Sequence, residues 1–188
     1  MLTEELIQQF HKFSEKGKAY DCIDARIANH IIENNDLMVI SGIPYYYASG
    51  VFRVDEKGIM IKTLIRHCIV EEVQTAPRIK RVYELLITDY RIQREPDEIN
   101  LYPKHWINFL NGMLDVKTGE MHSHSPEYKA ISQIPHNYIP GLNLENTIFY
   151  EFLQSRIPDR DNQKMLFEFL GMCLFSEIFF QKFMILTG

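Results

Sequence analysis

A short apolar run near the end of the sequence is the first candidate for chemistry. Phe183 to Leu186 are all apolar, and Thr187 and Gly188 follow them. Such a run is typical of a strand buried on both faces, and a glycine directly after a buried strand is how a phosphate-binding loop begins. We therefore expect Gly188 to open a nucleotide-binding loop that is cut before its Gly-Lys-Ser/Thr portion. An ordinary core strand is the alternative, and without that lysine we expect no ATP hydrolysis by this chain.

A group of basic residues is the second candidate. Six cations surround the helix that is predicted to begin at Pro77 and the segment that leaves it: Arg78, Lys80, Arg81, Arg91, Arg94 and Lys104. Tyr102 and Trp106 lie nearby in the sequence. Because cations follow phosphates and aromatic rings stack on bases, this combination predicts contact with single- or double-stranded DNA. Acidic residues are interspersed among the cations, so a solvated helix face is the alternative.

Histidines and carboxylates form the third group. His122 and His124 are two residues apart on a predicted strand, and His136 follows them. A zinc site needs about three or four ligands, and no cysteine joins these histidines, so we expect exposed turn histidines and no metal site. Asp21 and Asp24 have the spacing of one helix face, where we expect an ordinary solvated surface. No nucleophile motif is present, and we assign no catalytic residue.

Composition sets the broad class of the protein. The 188 residues are 46% hydrophobic and 24% charged, as in globular proteins, and the net charge of -5 argues against a stand-alone polyanion binder. Cys22, Cys68 and Cys173 are widely spaced, and each falls on a predicted helix face, which indicates buried free thiols. No signal peptide and no run long enough to span a bilayer are visible, so we expect a soluble cytoplasmic protein without membrane contact.

The elements that would position these residues follow from periodicity. Apolar spacing predicts a helix from Leu2 that ends at Gly17 and a second helix that ends at Asn34, which together would form a helical hairpin. Three strands of a Tyr-rich antiparallel meander follow: 37–41, 45–48 and 51–54. Two amphipathic helices come next, one around Ile61 to Ile69 and one from Pro77 to Tyr90.

The second half of the sequence contains another small antiparallel unit. Its strands are predicted at 106–109, 113–116 and 120–122, joined by Asn-Gly and Lys-Thr-Gly turns. An ordered connector occupies 125–141, and helices at 143–157 and 159–178 lead into the final strand. The fold class is therefore α+β, mainly helical, with two small antiparallel units and a helical C-terminal part. We place a domain boundary between an α+β region, 1–140, and a helical region, 141–188.

Several motifs resemble those of a known family. The run from Trp106 to Glu120 (WINFLNGMLDVKTGE) resembles the hairpin of phage and plasmid primase–helicase proteins, as do the following SPEY and IPHNY segments. The run from Gly50 to Arg53 is similar to a second hairpin of that family. The leucine-rich helix from Phe167 to Leu174 and the strand from Lys182 to Gly188 look like its last elements. The resemblance covers residues 37–188. The sequence lacks the phosphate-loop lysine, the metal-holding acids and the arginine finger of the helicase.

This resemblance implies a position ahead of a superfamily-three helicase. In such a family the full-length protein binds ATP and Mg, forms a hexamer and draws DNA through its centre. The present segment would then be a collar that holds subunits together and guides DNA. Its last two helices would pack on the ATPase core, which predicts a partly exposed aromatic face at Phe149, Phe152 and Phe169. A stand-alone DNA-binding or protein-interaction module is the alternative class, and a metal-dependent nuclease or primase is a third.

Overall fold

The computed structural model describes residues 2–175 and 183–185. This part of the chain contains six α-helices and nine short strands in small, mostly antiparallel sheets, which confirms the α+β class. The chain divides into two compact units, Met1–Ile99 and Asn100–Gly188. The boundary that we placed after residue 140 stays a prediction.

The first unit begins with a helix and a β-hairpin. The elements are α1 (Glu4–Phe10), β1 (His11–Phe13), β2 (Ala19–Cys22) and α2 (Asp24–Asn34). The predicted helical hairpin is therefore wrong, because the helix stops at Phe10 and a strand pair lies between the two helices. Gly17 has a φ of 72°, and its N–H donates to the carbonyl oxygen of Ser14, so a turn forms that lets β1 pair with β2.

A four-stranded sheet forms the middle of the first unit. Its strands are β3 (Leu37–Ile40), β4 (Ile43–Ala48), β5 (Val51–Val54) and β6 (Gln93–Arg94), in the order β5-β4-β3-β6. The meander β3-β4-β5 is antiparallel, as predicted, and Tyr47 lies opposite Phe52 with ring centroids 5.2 Å apart. The parallel pairing of β6 with β3 was not predicted, because nothing local in a two-residue strand indicates it.

Two helices complete the core of this unit: α3 (Ile59–His67) and α4 (Ala76–Ile87). They pack with α2 against the face of β3 that carries Leu37 and Val39. The fully buried side chains that the three helices contribute are Ile27, Ile31, Ile61, Ile65, Val82 and Leu86. Burial of each such side chain contributes about 1.5–3 kcal/mol to the stability of the fold. The apolar residues whose spacing predicted α3 and α4 are therefore also the ones that hold these helices against the core.

The entry to α3 is held by a buried carboxylate. Asp55 lies in the turn after β5, where its Oδ1 accepts a hydrogen bond from the N–H of Met60 (3.2 Å) and its Oδ2 accepts one from the N–H of Ile61 (3.0 Å). Both N–H groups belong to the first turn of the helix and lack partners within it. Gly58, with a φ of 62°, precedes the helix and lies against the ring of Tyr83.

The second unit contains a three-stranded antiparallel sheet in the order β7-β8-β9. The strands are β7 (Trp106–Phe109), β8 (Gly112–Asp115) and β9 (Met121–His122), all at predicted positions. The connector at 125–141 is ordered, as predicted, because it is hydrogen-bonded to the β7–β8 hairpin of this sheet. Asn111 accepts from the N–H of Tyr138 and donates to its carbonyl oxygen, each at 2.9 Å, and Asn108 donates to Ser132 at 3.0 Å.

Two helices follow the connector: α5 (Ile148–Arg156) and α6 (Arg160–Met172). Each begins at a side-chain cap, since Thr147 accepts from the N–H of Tyr150 and Asp159 accepts from the N–H of Asn162. The predicted aromatic face is confirmed, with Phe149 and Phe152 exposed and Phe169 half-buried.

Candidate nucleic-acid interface

Arg78, on the first turn of α4, connects three elements of the first unit. Its Nε lies 3.2 Å from Oδ1 of Asp21 on β2, its Nη1 donates to the carbonyl oxygen of Val73 at 2.6 Å, and its Nη2 donates to that of Tyr20 at 2.9 Å. The side chain is only 21% exposed. Each of the three guanidinium nitrogens therefore has a partner within the protein, and a phosphate would compete with these partners.

Arg81, one turn further along α4, is paired in the same way. Its Nε donates to Oδ2 of Asp24 at 2.8 Å, and this contact raises the pKa of Arg81. The pKa of the Asp21 carboxyl is lowered, first by the N–H of Cys22 and then by the charge of Arg78. Asp21 lies on β2 and Asp24 at the start of α2, so the expectation of one solvated helix face was wrong. The two carboxylates instead receive the arginines of α4.

The remaining four predicted cations differ in their surroundings. Arg91 donates to both carboxylate oxygens of Asp89, at 2.9 and 2.7 Å, and the pKa of Asp89 is lowered by that contact. Lys80 lies 3.7 Å from a Glu84 oxygen, but both side chains are exposed, and exposed pairs of this type hold each other weakly. Arg94 donates to the carbonyl oxygen of its neighbour Gln93, and Lys104 is an exposed residue of the second unit.

The structure thus gathers Arg78, Lys80 and Arg81 on α4 and places Lys104 in the other compact unit. Arg78, Arg81 and Arg91 each form an ion pair with an aspartate, and the sequence did not predict these pairs. Contact of the six cations with DNA stays a prediction, and Lys80 is the member of the α4 group that is most accessible to a phosphate.

The two aromatic residues near this group are packed inside the second unit. Tyr102 is buried, and Trp106 stacks on His122 with ring centroids 4.1 Å apart and an angle of 8° between the rings. Tyr128 meets both Tyr102 and Trp106 edge-on. The stacked face of Trp106 is therefore covered, and the expected base-stacking role for these rings is not supported by their placement.

Two of the three predicted histidines are also partly buried in the second unit. His122 lies on β9, and its Nε2 is buried without a hydrogen-bond partner in the part of the chain that the structure describes. His124 Nε2 lies 3.0 Å from Oδ1 of Asn108 and 2.9 Å from the carbonyl oxygen of Phe109. The expectation of exposed turn histidines was wrong for His122 and His124, whose rings are half-buried, and is confirmed for His136, which is exposed. Across residues 2–175 and 183–185, no cluster of His, Cys, Asp and Glu has the geometry of a metal site.

The predicted nucleotide-loop residue lies outside the described part of the chain. Gly188 is not described, and neither are Leu186 and Thr187. Phe183 to Ile185 are described, and they form no strand. Phe183 is 81% exposed, so at these three positions the predicted burial on both faces is not observed. A strand of this kind is buried only where neighbouring strands and helices cover it.

The cysteines differ from one another. Cys22 ends β2 rather than lying on a helix, and burial together with a hydrogen bond to Asp24 raises the pKa of its thiol to about 12. Cys68 is half-buried, and burial raises its pKa as well. All three thiols are free, as predicted, but Cys173 is exposed, which corrects the expectation of burial.

A groove between α3 and α4 was missed by the sequence reasoning. It has a volume of about 630 Å³, and Lys62 and Arg66 of α3 line it together with Lys80 and Tyr83 of α4. The signal that could have found it is the periodicity of the outer faces. Positions 59, 62, 63 and 66 share one face of α3, and positions 76, 80, 83 and 87 share one face of α4.

Membrane contact through a spanning helix finds no support in residues 2–175 and 183–185, where no helix is both long enough and apolar enough to cross a bilayer. A family model described as "D5 N terminal like" matches residues 12–183 of this chain. A comparison with curated proteins gave no match.

Proposed function

We infer the function from the family: this chain belongs to the D5 N terminal like family, the N-terminal region of phage and viral primase–helicase proteins. We propose that it holds subunits together and guides DNA for an ATP-driven helicase. The ATPase part, with its ATP and Mg, would lie elsewhere in the full protein. The observation that carries the proposal is the family match over residues 12–183.

The apolar surface of the last two helices supports the assembly role. Ile148 and Phe152 on α5 and Met165 on α6 are more than half exposed, and Phe149 is exposed beside them. Ile148, Phe149 and Phe152 are neighbours on α5, since Phe152 follows the other two by four and three residues, and exposed apolar groups that adjoin one another mark contacts with other proteins. In our proposal this surface binds a second copy of the chain, as a collar requires, or the ATPase core of the same protein.

Sedimentation velocity across a concentration series tests the assembly role. We expect concentration-dependent self-association, and Phe152→Asp should weaken it at least tenfold because a carboxylate would have to be desolvated in the contact. Tyr90→Asp is the matched control, since Tyr90 is an exposed aromatic residue of the first unit. A chain that stays monomeric at several hundred micromolar, or equal losses in the two variants, would contradict binding of a second copy and with it the collar role. The ATPase core would then be the proposed partner of this surface.

Fluorescence anisotropy with a labelled single-stranded (dT)20 and a duplex of equal length tests DNA guidance. If about three phosphates are neutralised on the single strand, affinity should fall about 15- to 20-fold between 50 and 200 mM salt. Lys80→Glu should weaken binding, whereas Lys16→Glu, the same charge change at an exposed turn residue, should not. An affinity that ignores both salt and Lys80→Glu would refute DNA contact through α4.

The protein-interaction module remains the second candidate, and the exposed α5–α6 surface favours it when DNA binding fails. The coding sequence that follows the codon for Gly188 distinguishes the two candidates. A Gly-Lys-Ser/Thr sequence within the next few codons supports the helicase, and its absence there removes the ATPase from the proposal.

A further inference from the structure

The groove between α3 and α4 has the construction of a binding site rather than of a packing defect. The inner faces of both helices are fully buried, at Ile61 and Ile65 of α3 and at Val82 and Leu86 of α4. The opposite faces line a continuous cavity of about 630 Å³. Two aligned amphipathic helices that leave such a trough between their outer faces form a surface into which a third helix can be laid.

Apolar side chains are exposed in this groove. Ile59, at the start of α3, is 64% exposed, while Ile87, at the end of α4, and the ring of Tyr83 are half-buried. The start of α3 lies beside Tyr83, since Gly58 lies against that ring and Lys62 lies over it, so the apolar side chains gather toward one end of the groove. An apolar cluster of this kind suits the apolar stripe of an amphipathic partner helix.

The rim of the groove is positively charged. Lys62, Arg66 and Lys80 line it, and Glu84 is the one acid among the lining residues that the structure describes. Lys80 and Glu84 form only an exposed pair at 3.7 Å, which leaves the charge excess to Lys62 and Arg66. This positive rim stands out in a chain with a net charge of -5, and it complements a partner with acidic residues beside its apolar ones.

The aromatic ring in the groove is placed for packing rather than for base stacking. Lys62 Nζ lies 4.8 Å from the centroid of the Tyr83 ring and also donates to the carbonyl oxygen of Lys57 at 2.8 Å, so the ring has a cation over one face. The outer edge of the ring is against Gly58. The remaining apolar lining is aliphatic, whereas single-stranded nucleic acids are held by open aromatic faces. A protein helix fits this lining better than a nucleic acid does.

We propose that the α3–α4 groove binds an acidic amphipathic helix of a partner protein. The nine residues of α3 and the twelve of α4 give a trough about 14–18 Å long, which is about three turns of the bound helix. Leu-like side chains of the partner contact Ile59, Tyr83 and Ile87, and its carboxylates pair with Lys62 and Arg66. This site shares Lys80 with the proposed DNA contact, but its occupant is a protein helix and it does not involve the α5–α6 surface, so it goes beyond the proposed function.

The test uses stapled 12-residue helices labelled with fluorescein. The acidic probe carries Leu at positions 2, 5, 6 and 9 and Glu at most others; a second probe has Lys in place of Glu, and a third is the scrambled acidic sequence. We expect the acidic probe to bind saturably to the complete chain, and the other two to bind at least tenfold more weakly. Amide shifts in the ¹⁵N spectrum should concentrate on Thr63, Arg66 and Lys80.

Charge reversal provides the matched comparison. Arg66→Glu should weaken binding of the acidic probe at least tenfold and strengthen binding of the Lys probe. Arg53→Glu, the same change at an exposed residue of β5, should alter neither by more than about twofold. Lys80→Gln repeats the test should Arg66→Glu fail to fold. No saturable binding up to 1 mM, equal binding of the scrambled probe, or shifts outside the groove would overturn the proposal. Stronger shifts of the same amides by (dT)20 would overturn it in favour of nucleic acid.

Discussion

Replacing Gly58 with alanine tests how the start of α3 is fitted against α4. Gly58 has a φ of 62°, in the left-handed region, and an added Cβ would lie 2.5 Å from Cε2 and 2.6 Å from the hydroxyl oxygen of Tyr83. A Cβ atom essentially never lies this close to a non-bonded heavy atom, so either the ring or the turn must move. The single substitution therefore combines a backbone cost with a steric cost.

The two costs can be estimated separately. A non-glycine residue in the left-handed region costs about 1–2 kcal/mol. Forcing an extra methyl group against a packed ring costs about 1–3 kcal/mol. Gly58→Ala should therefore lower the free energy of unfolding by about 2–5 kcal/mol. Gly17 is the matched control, because its φ of 72° carries the same backbone cost while an added Cβ there would meet nothing within 4 Å.

Urea unfolding followed by circular dichroism at 222 nm measures this difference. Gly17→Ala should cost about 1–2 kcal/mol, so the excess at Gly58 gives the steric part. In a Tyr83→Leu background the far atoms of the ring are gone, and Gly58→Ala should then cost no more than Gly17→Ala. The fluorescence of Trp106, the single tryptophan, follows the second unit and should report whether that unit is affected.

Equal costs at Gly58 and Gly17 in the unaltered background would refute the packing of Tyr83 on the start of α3. An excess that persists after Tyr83→Leu would place the strain elsewhere. Either result would also remove the fixed ring position on which the shape of the α3–α4 groove depends.

Three further predictions concern charges and thiols of the first unit and the exposed thiol of the second. Asp55→Ala should lower the free energy of unfolding by about 2–3 kcal/mol in urea, because two first-turn N–H groups lose a charged acceptor, and Asp55→Asn should recover part of it. Because the pKa of Asp21 is lowered, its ionised carboxylate stabilises the fold above the unfolded-state pKa, about 3.9, and this stabilisation is lost as pH falls through the folded-state pKa. Arg78→Gln should raise the folded-state pKa of Asp21 in an NMR titration, and an unchanged pKa would exclude the ion pair. Ellman's reagent at pH 8 should modify Cys173 within minutes and Cys22 only on unfolding, as peptide mapping by mass spectrometry would show, and early labelling of Cys22 would contradict its burial.

Periodicity and turn chemistry predicted the elements that depend on neighbours in sequence. The helices α3 and α4 show apolar residues on one face, and the β7–β8 hairpin carries an Asn-Gly signal, so both could be placed from local pattern alone. The first helix was predicted too long because Phe10 and Phe13 are three residues apart, which is also the spacing of one helix face. In the structure Phe10 ends α1 and Phe13 lies on β1. A three-residue strand has too few positions to establish its own period.

The partners of the candidate site were decided by the tertiary structure. Asp24 and Arg81 are 57 residues apart in the chain, and no pattern in either segment indicates that their side chains meet at 2.8 Å. The pairing of β6 with β3 and the groove between α3 and α4 likewise join segments that are separate in sequence. Spacing along a chain determines which residues share a face of an element. Which faces then meet, and which charges neutralise one another, depends on burying the common core, and that arrangement exists only in the folded chain.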